Sequence, residues 1–150
     1  MTPSSRVPPS SRVPPSSRVP APPVVAVGAV AVMEGTLLMV QRATPPQVGC
    51  WSLPGGRVEA GETVTGAVER EVLEETALPV RCGPLVGWAE RRAEGYHYVI
   101  LDFAVVLDER GIPTAGSDAA AATWVPLAEV TDLILVEGLK EFLVEHGVLE

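Results

Sequence analysis

Glu71, Glu74 and Glu75 are the residues of this chain whose type and spacing could do chemistry. In a helix, positions three and four apart share a face, so the three carboxylates project from one side. Like charges at that spacing repel by about 0.2–0.5 kcal/mol per pair. Either a cation offsets the repulsion or the acids lie in water, and the spacing by itself leaves both open. The chemistry on offer is capture of a divalent cation and, through it, of a phosphate group that the acids alone would repel. The three belong to a longer stretch, residues 55–78, that holds six of the nineteen acidic residues.

Charge narrows the partners. The 150-residue chain carries a formal net charge of −8; its first 23 residues hold three Arg and no acid, which leaves −11 on the remainder. A domain that acidic repels duplex nucleic acid and anionic membrane surfaces. Apolar residues make up 47%, enough for the core of a single domain. Cys50 and Cys82 offer neither a disulfide framework nor metal-ligand spacing, and they read as reduced thiols of a cytoplasmic protein. No apolar run reaches 18 residues, and the N-terminus lacks the apolar centre of a secretory signal, so no membrane partner is expected.

The elements that must position the acids follow from periodicity and punctuation. Residues 1–23 repeat Ser-Ser-Arg-Val-Pro from Ser4, Ser10 and Ser16, which reads as a disordered, partly polyproline tail ahead of a domain at 24–150. Residues 24–33 predict a buried strand, Glu34-Gly35 a tight turn, and residues 36–42 a second strand. A loop with Pro45 and Pro46 follows, then Trp51-Ser52-Leu53 leading into Pro54-Gly55-Gly56. Thr63 is the predicted N-cap of a helix running to about Thr76, with Pro79 as its stop. Residues 85–92 and 96–107 predict two strands, 108–118 a polar loop, 121–125 a short strand and 136–146 a terminal helix. Strands mixed with two helices make an α+β, α/β/α-layered domain, with helices packed on a mixed sheet.

Gly56, five residues, Glu62, seven residues, then Arg70-Glu71-Val72-Leu73-Glu74-Glu75 and the apolar Leu78 resemble the signature of the Nudix hydrolases. One position departs, with Ala77 where the family usually has Gly to ease the exit from the helix. Leu53-Pro54-Gly55-Gly56 before the signature, and Trp124-Val125-Pro126-Leu127 before a terminal helix, are similar to the family's flanks. The resemblance covers residues 24–148. It implies a mixed sheet sandwiched between helices and cleavage of a small-molecule nucleotide, a nucleoside diphosphate linked to another group. It also implies Mg²⁺, or Mn²⁺, held by Glu71, Glu74 and Glu75 with a backbone carbonyl at Gly55. Glu71 is the implied general base with Glu74 next, Arg70 orients a catalytic Glu, and Glu62 supports the loop. Many members dimerise, which leaves a homodimer as an open expectation.

Other candidates lie outside the signature. Asp118, in the loop before Trp124, is the candidate for a further acidic metal ligand, ahead of Glu90 and Glu94. Strand alternation puts Tyr96, Tyr98, Ile100 and Asp102 on one face and His97, Val99, Leu101 and Phe103 on the other. Tyr96 and Tyr98 either stack on a base or pack across strands. His97 reads as a hydrogen-bonded strand residue. Arg57, and behind it Arg42, are the candidates to meet substrate phosphates; Trp51 and Trp88 line either the pocket or the core. The look of residues 96–103 and of Gly116-Ser117-Asp118 favours ADP-ribose or a related sugar nucleotide, giving AMP and a sugar phosphate. A second reading is a (d)NTP pyrophosphohydrolase that releases NMP and pyrophosphate. A third, of another class, is a non-catalytic nucleotide-binding module.

Overall fold

The computed structural model describes residues 19–116 and 118–150. The tail expectation therefore falls largely on residues outside those described. Two strands stand where one was predicted: β1 (Val24–Val30) and β2 (Val32–Met33). They are followed by β3 (Thr36–Arg42), β4 (Trp51–Ser52), β5 (Gly55–Arg57), α1 (Val64–Thr76), β6 (Arg81–Ala93), β7 (Tyr96–Val106), β8 (Ala119–Pro126) and α2 (Leu139–Glu145). A short 3₁₀ helix, Leu127–Asp132, occupies a segment for which the pattern predicts no element. The terminal helix starts three residues later than predicted, because Gly138 at φ 85° takes a backbone conformation that helices do not continue through. β6 starts four residues earlier than predicted, and its pairing with β7 shifts register on both sides of Leu85, next to Pro84. A proline cannot donate to the ladder, so it is tolerated at such an irregularity.

The strands form two sheets. The first is mixed, in the order β5-β1-β7-β6, with β1 and β7 parallel and the outer pairs antiparallel. In the second, β3 pairs with β8 along its whole length and with the short β2 and β4. Alternation along β1 and β3 divides the core. Val27, Ala29 and Leu38 pack with Val68 and Val72 of α1, whereas Val30, Leu37 and Met39 pack with Phe142 and Leu143 of α2. One helix thus covers each side. Each fully buried Val, Leu or Phe contributes roughly 1.5–3 kcal/mol.

The ends of α1 follow the sequence closely. The Thr63 hydroxyl accepts from the Gly66 N–H at 3.0 Å, which satisfies one donor of the first turn. At the other end Ala77 sits at φ 64°, ψ 13°, and its N–H donates to the Leu73 carbonyl at 2.9 Å. The family's glycine is absent but its left-handed geometry is kept, at a cost to a residue with a Cβ of about 1 kcal/mol. Ala77→Gly is therefore expected to raise the unfolding free energy by about 0.5–1 kcal/mol without changing the helix end. Denaturant unfolding measures this, and an unchanged midpoint would show that the turn is unstrained.

Candidate active site

The three glutamates of α1 do not share one environment. Taking Glu71 as reference, Glu75 is rotated by about 40° toward the buried row Val68–Val72–Thr76, and Glu74 by about 60° away from it. Burial follows that order. Glu75 is the most enclosed, and burial, together with repulsion from Glu71 and Asp118, raises its pKa from 4.5 to about 7 against the pull of a Gly55 N–H bond. Glu71 is half-buried and also raised, first by burial and then by Glu74 and Asp118, with Arg70 opposing. The Glu74 side chain is 59% exposed.

Two glycines of β5 meet the carboxylates. β5 is the edge strand, and the Gly55 N–H donates to Glu75 Oε1 at 2.8 Å. A Cβ at Gly56 would overlap the Glu71 carboxylate. A Cβ at Gly55 would instead run into the Val27 carbonyl of β1, so that glycine lets β5 lie against β1.

Arg70 organises the acids around it. Its Nε and Nη2 donate to the two Glu62 oxygens at 2.6 and 2.9 Å, and its Nη1 to Glu71 at 3.0 Å and Glu74 at 3.2 Å. Nη2 also donates to the Arg57 carbonyl at 3.1 Å, which ties α1 to β5. Glu62 accepts in addition from the Glu59 N–H at 3.0 Å. The Arg70 bonds, then that N–H, hold the Glu62 carboxyl down at about 2. Its partners in turn hold the Arg70 guanidinium firmly charged. The two-pronged bond to Glu62 is shorter than the bonds to Glu71 and Glu74.

Glu71 and Glu75 open onto a cavity of about 820 Å³ that is also lined by Gly55, Arg42, Arg57, Asp118, Tyr96 and Tyr98. Glu74, Glu62 and Arg70 stand behind this wall. Asp118 arrives because the preceding loop is strapped to the end of α1: the Thr114 N–H donates to the Thr76 carbonyl at 2.8 Å and the Gly116 N–H to the Glu75 carbonyl at 3.0 Å. A Cβ at Gly116 would run into the Glu74 carbonyl. The Tyr96 and Tyr98 rings lie 5.6 Å apart at 32°. Arg57 makes no side-chain hydrogen bond or ion pair among the described residues, whereas Arg42 donates from Nε to the Pro46 carbonyl at 2.6 Å and serves the loop above the cavity.

Several candidates lie elsewhere. Trp88 is 63% exposed, and Trp51 packs against the α2 side of the core. Glu90 meets His97 Nε2 at 2.6 Å away from the cavity, so both serve the β6–β7 hairpin, whose turn carries Glu94. Arg91 and Asp102 line the cavity and had no assigned role. The available signal was Asp102 itself, an acid in an apolar strand in phase with Tyr96 and Tyr98.

The donor set suits a hard divalent cation. Among the described residues no three His, Cys, Asp or Glu already converge as a metal cage. Mg²⁺ does not need one: it takes one or two carboxylates and fills its remaining positions with water and substrate phosphate oxygens. Two partly buried, mutually repelling carboxylates on a cavity wall fit that requirement.

The chain belongs to the NUDIX domain family, whose model matches residues 22–145. It is 36% identical over 115 residues to an ADP-ribose pyrophosphatase of Methanocaldococcus jannaschii, covering 74% of this chain and 66% of that protein. It is 36% identical over 93 residues to the 8-oxo-dGDP phosphatase NUDT18 of Mus musculus, covering 62% of this chain and 29% of that protein. The chain thus spans less than two thirds of the length of either relative. In fold it is similar to a MutT protein from Methanosarcina mazei Go1, with a TM-score of 0.78 at 22% identity, over 87% of this chain and 97% of that one. It is also similar to a bifunctional NMN adenylyltransferase/ADP ribose pyrophosphatase from Francisella tularensis complexed with AMP and Mn ion. That match has a TM-score of 0.64 at 24% identity and covers 87% of this chain and 43% of that one. No helix among the described residues is long and apolar enough to cross a membrane.

Proposed function

We propose that this protein hydrolyses the pyrophosphate bond of a nucleoside diphosphate linked to a second group, with Mg²⁺ or Mn²⁺ held by Glu71 and Glu75. The observation that carries the reading is one cavity lined by those carboxylates, by Arg57 and by the Tyr96–Tyr98 pair. When bound, the cation neutralises the diphosphate and makes the attacking water acidic. Glu71, the less enclosed of the two cavity glutamates, takes the proton of that water as general base, and Arg70 fixes its orientation at 3.0 Å. Glu75 is held in place by the Gly55 N–H. Asp118 adds a third carboxylate on the same side. Arg57 meets phosphate oxygens, and the tyrosine rings offer flat faces to the substrate.

The substrate we favour is ADP-ribose or a related sugar nucleotide, supported by the archaeal relative's name. The mouse relative's name, an 8-oxo-dGDP phosphatase, supports only the oxidised-nucleotide side of the second reading, a nucleotide-pool enzyme acting on a (d)NTP or its oxidised form. ADP-ribose, sugar nucleotides and (d)NTPs are offered with Mg²⁺, and the products identified by chromatography. AMP and ribose 5-phosphate are the expected products, at a rate at least about tenfold above that from any triphosphate. NMP and pyrophosphate as the main products would establish the second reading. No turnover would leave the non-catalytic nucleotide-binding module.

A further inference from the structure

Asp102 is the buried charge of the cavity that this reaction leaves unused. It is 6% exposed, lies in β7 between Leu101 and Phe103, and lines the cavity. Among the described residues its carboxyl accepts no hydrogen bond; Arg91 and His146 act on it only through space, and burial raises its pKa to about 6. Leaving a buried carboxyl without a partner is unfavourable.

The backbone around it is cleared for it. In register, the neighbours of Asp102 are Gly28 on β1 and Gly87 on β6. A Cβ at Gly28 would overlap the Asp102 carboxylate, and one at Gly87 would overlap the His146 ring. The His146 Nδ1 meets the Phe142 carbonyl at 2.9 Å, and its Nε2 lies over Gly87, the strand neighbour of Asp102, without a hydrogen bond to the carboxylate among the described residues. The apolar side chains of Ile100 and Phe142 line the same cavity. An apolar slot with one polar group suits a flat heterocycle.

Its distance from the reacting end is set by the sheet. Gly28 pairs with Asp102 on one side and with Gly55 on the other, and Gly55 holds Glu75. At about 4.8 Å between strands, β7 runs roughly 10 Å from the Gly55 backbone, and the Asp102 carboxylate reaches back over Gly28 on the strand between them.

We propose that Asp102 is the specificity-determining residue of a base slot, its carboxyl taking the exocyclic amino group of a purine whose diphosphate lies at Glu71 and Glu75. This rests on the hydrolase reading above. Hypoxanthine tests it, because it lacks the amino groups of both adenine and guanine. Calorimetric titration of the full chain with AMP, GMP and IMP is expected to show at least about a tenfold preference for one amino purine over IMP, the difference that one well-made hydrogen bond supports. Asp102→Ala and Asp102→Leu, neither of which leaves an acceptor, are each expected to bring that preference within about threefold. The melting temperature should not fall, since an unpartnered buried acid is being removed. The ratio of kcat/KM for ADP-ribose over its hypoxanthine counterpart should fall in step, carried by KM. An unchanged preference in both variants, or an equal loss on both purines, overturns the assignment. Absence of turnover with the AMP–IMP difference intact overturns the hydrolase reading alone.

Discussion

Glu75→Gln is expected to lower kcat by at least about 100-fold while leaving the fold intact, because it removes a proposed cation ligand but keeps an acceptor for the Gly55 N–H. Glu71→Gln should lose as much, since it removes both a proposed ligand and the proposed base. The stability of the Glu75 variant carries a second, independent signature. The Glu75 pKa stands at about 7 in the fold against 4.5 for the free side chain. Between those values the folded chain binds more protons than the unfolded one, so the unfolding free energy falls as pH rises. The penalty is absent below about pH 4.5 and complete above about pH 7. Without divalent cation, Glu75→Gln should therefore be more stable than the parent at pH 8, by on the order of 2 kcal/mol, and no more stable at pH 4. Thermal melts at the two pH values read this directly. Wild-type turnover in either glutamine variant would remove the proposed ligand assignment.

Removal of Arg70 should have the next largest effect. Arg70→Met leaves Glu59, Glu62, Glu71 and Glu74 facing one another without their shared cation, all within 4.0 Å of it in the parent. The Arg70 side chain is 23% exposed, so solvent screens part of the loss. The expected destabilisation is about 1–3 kcal/mol, together with a fall in kcat of at least about tenfold as Glu71 loses its orientation. The acid limb also moves. Glu62, depressed to about 2 chiefly by Arg70, stabilises the fold above about pH 4.5, and that contribution is lost as pH falls toward 2. In the variant this contribution is missing at neutral pH, so the parent's advantage should shrink as pH falls. Arg70→Lys keeps a charge but not the fork that spans both Glu62 oxygens, so it should recover stability better than turnover. An Arg70→Met protein with parental melting temperature and kcat would show that the cluster is an ordinary solvated surface.

Local physics made α1 readable. Thr63 as N-cap, the end at Thr76 and the shared face of the glutamates all depend on groups within four residues of each other. The strands were legible as elements but not at their ends: the lengthening of β6 to Arg81 depends on pairing with Val106, and Gly138 delays α2 through a backbone angle that composition does not reveal. Asp102 was legible as an acid in phase with Tyr96 and Tyr98. Its lack of a partner was not, since that depends on Gly28, Gly87 and His146, which come from three other segments.

By itself the sequence determined that the acids gather on one helix, that they need a cation to meet phosphate, and which family's signature they resemble. Helical periodicity is a property of neighbours, and it survives without knowledge of the rest of the chain. Only the tertiary structure decided how the three glutamates divide, with Glu71 and Glu75 on the cavity and Glu74 behind it. It also decided that Asp118 joins them through the loop strapped to α1, and that Asp102 waits across the sheet. Those placements arise from the burial gradient around the helix and from β5-β1-β7 pairing between residues far apart in the chain. No local pattern encodes such contacts, because they exist only once the sheet has closed.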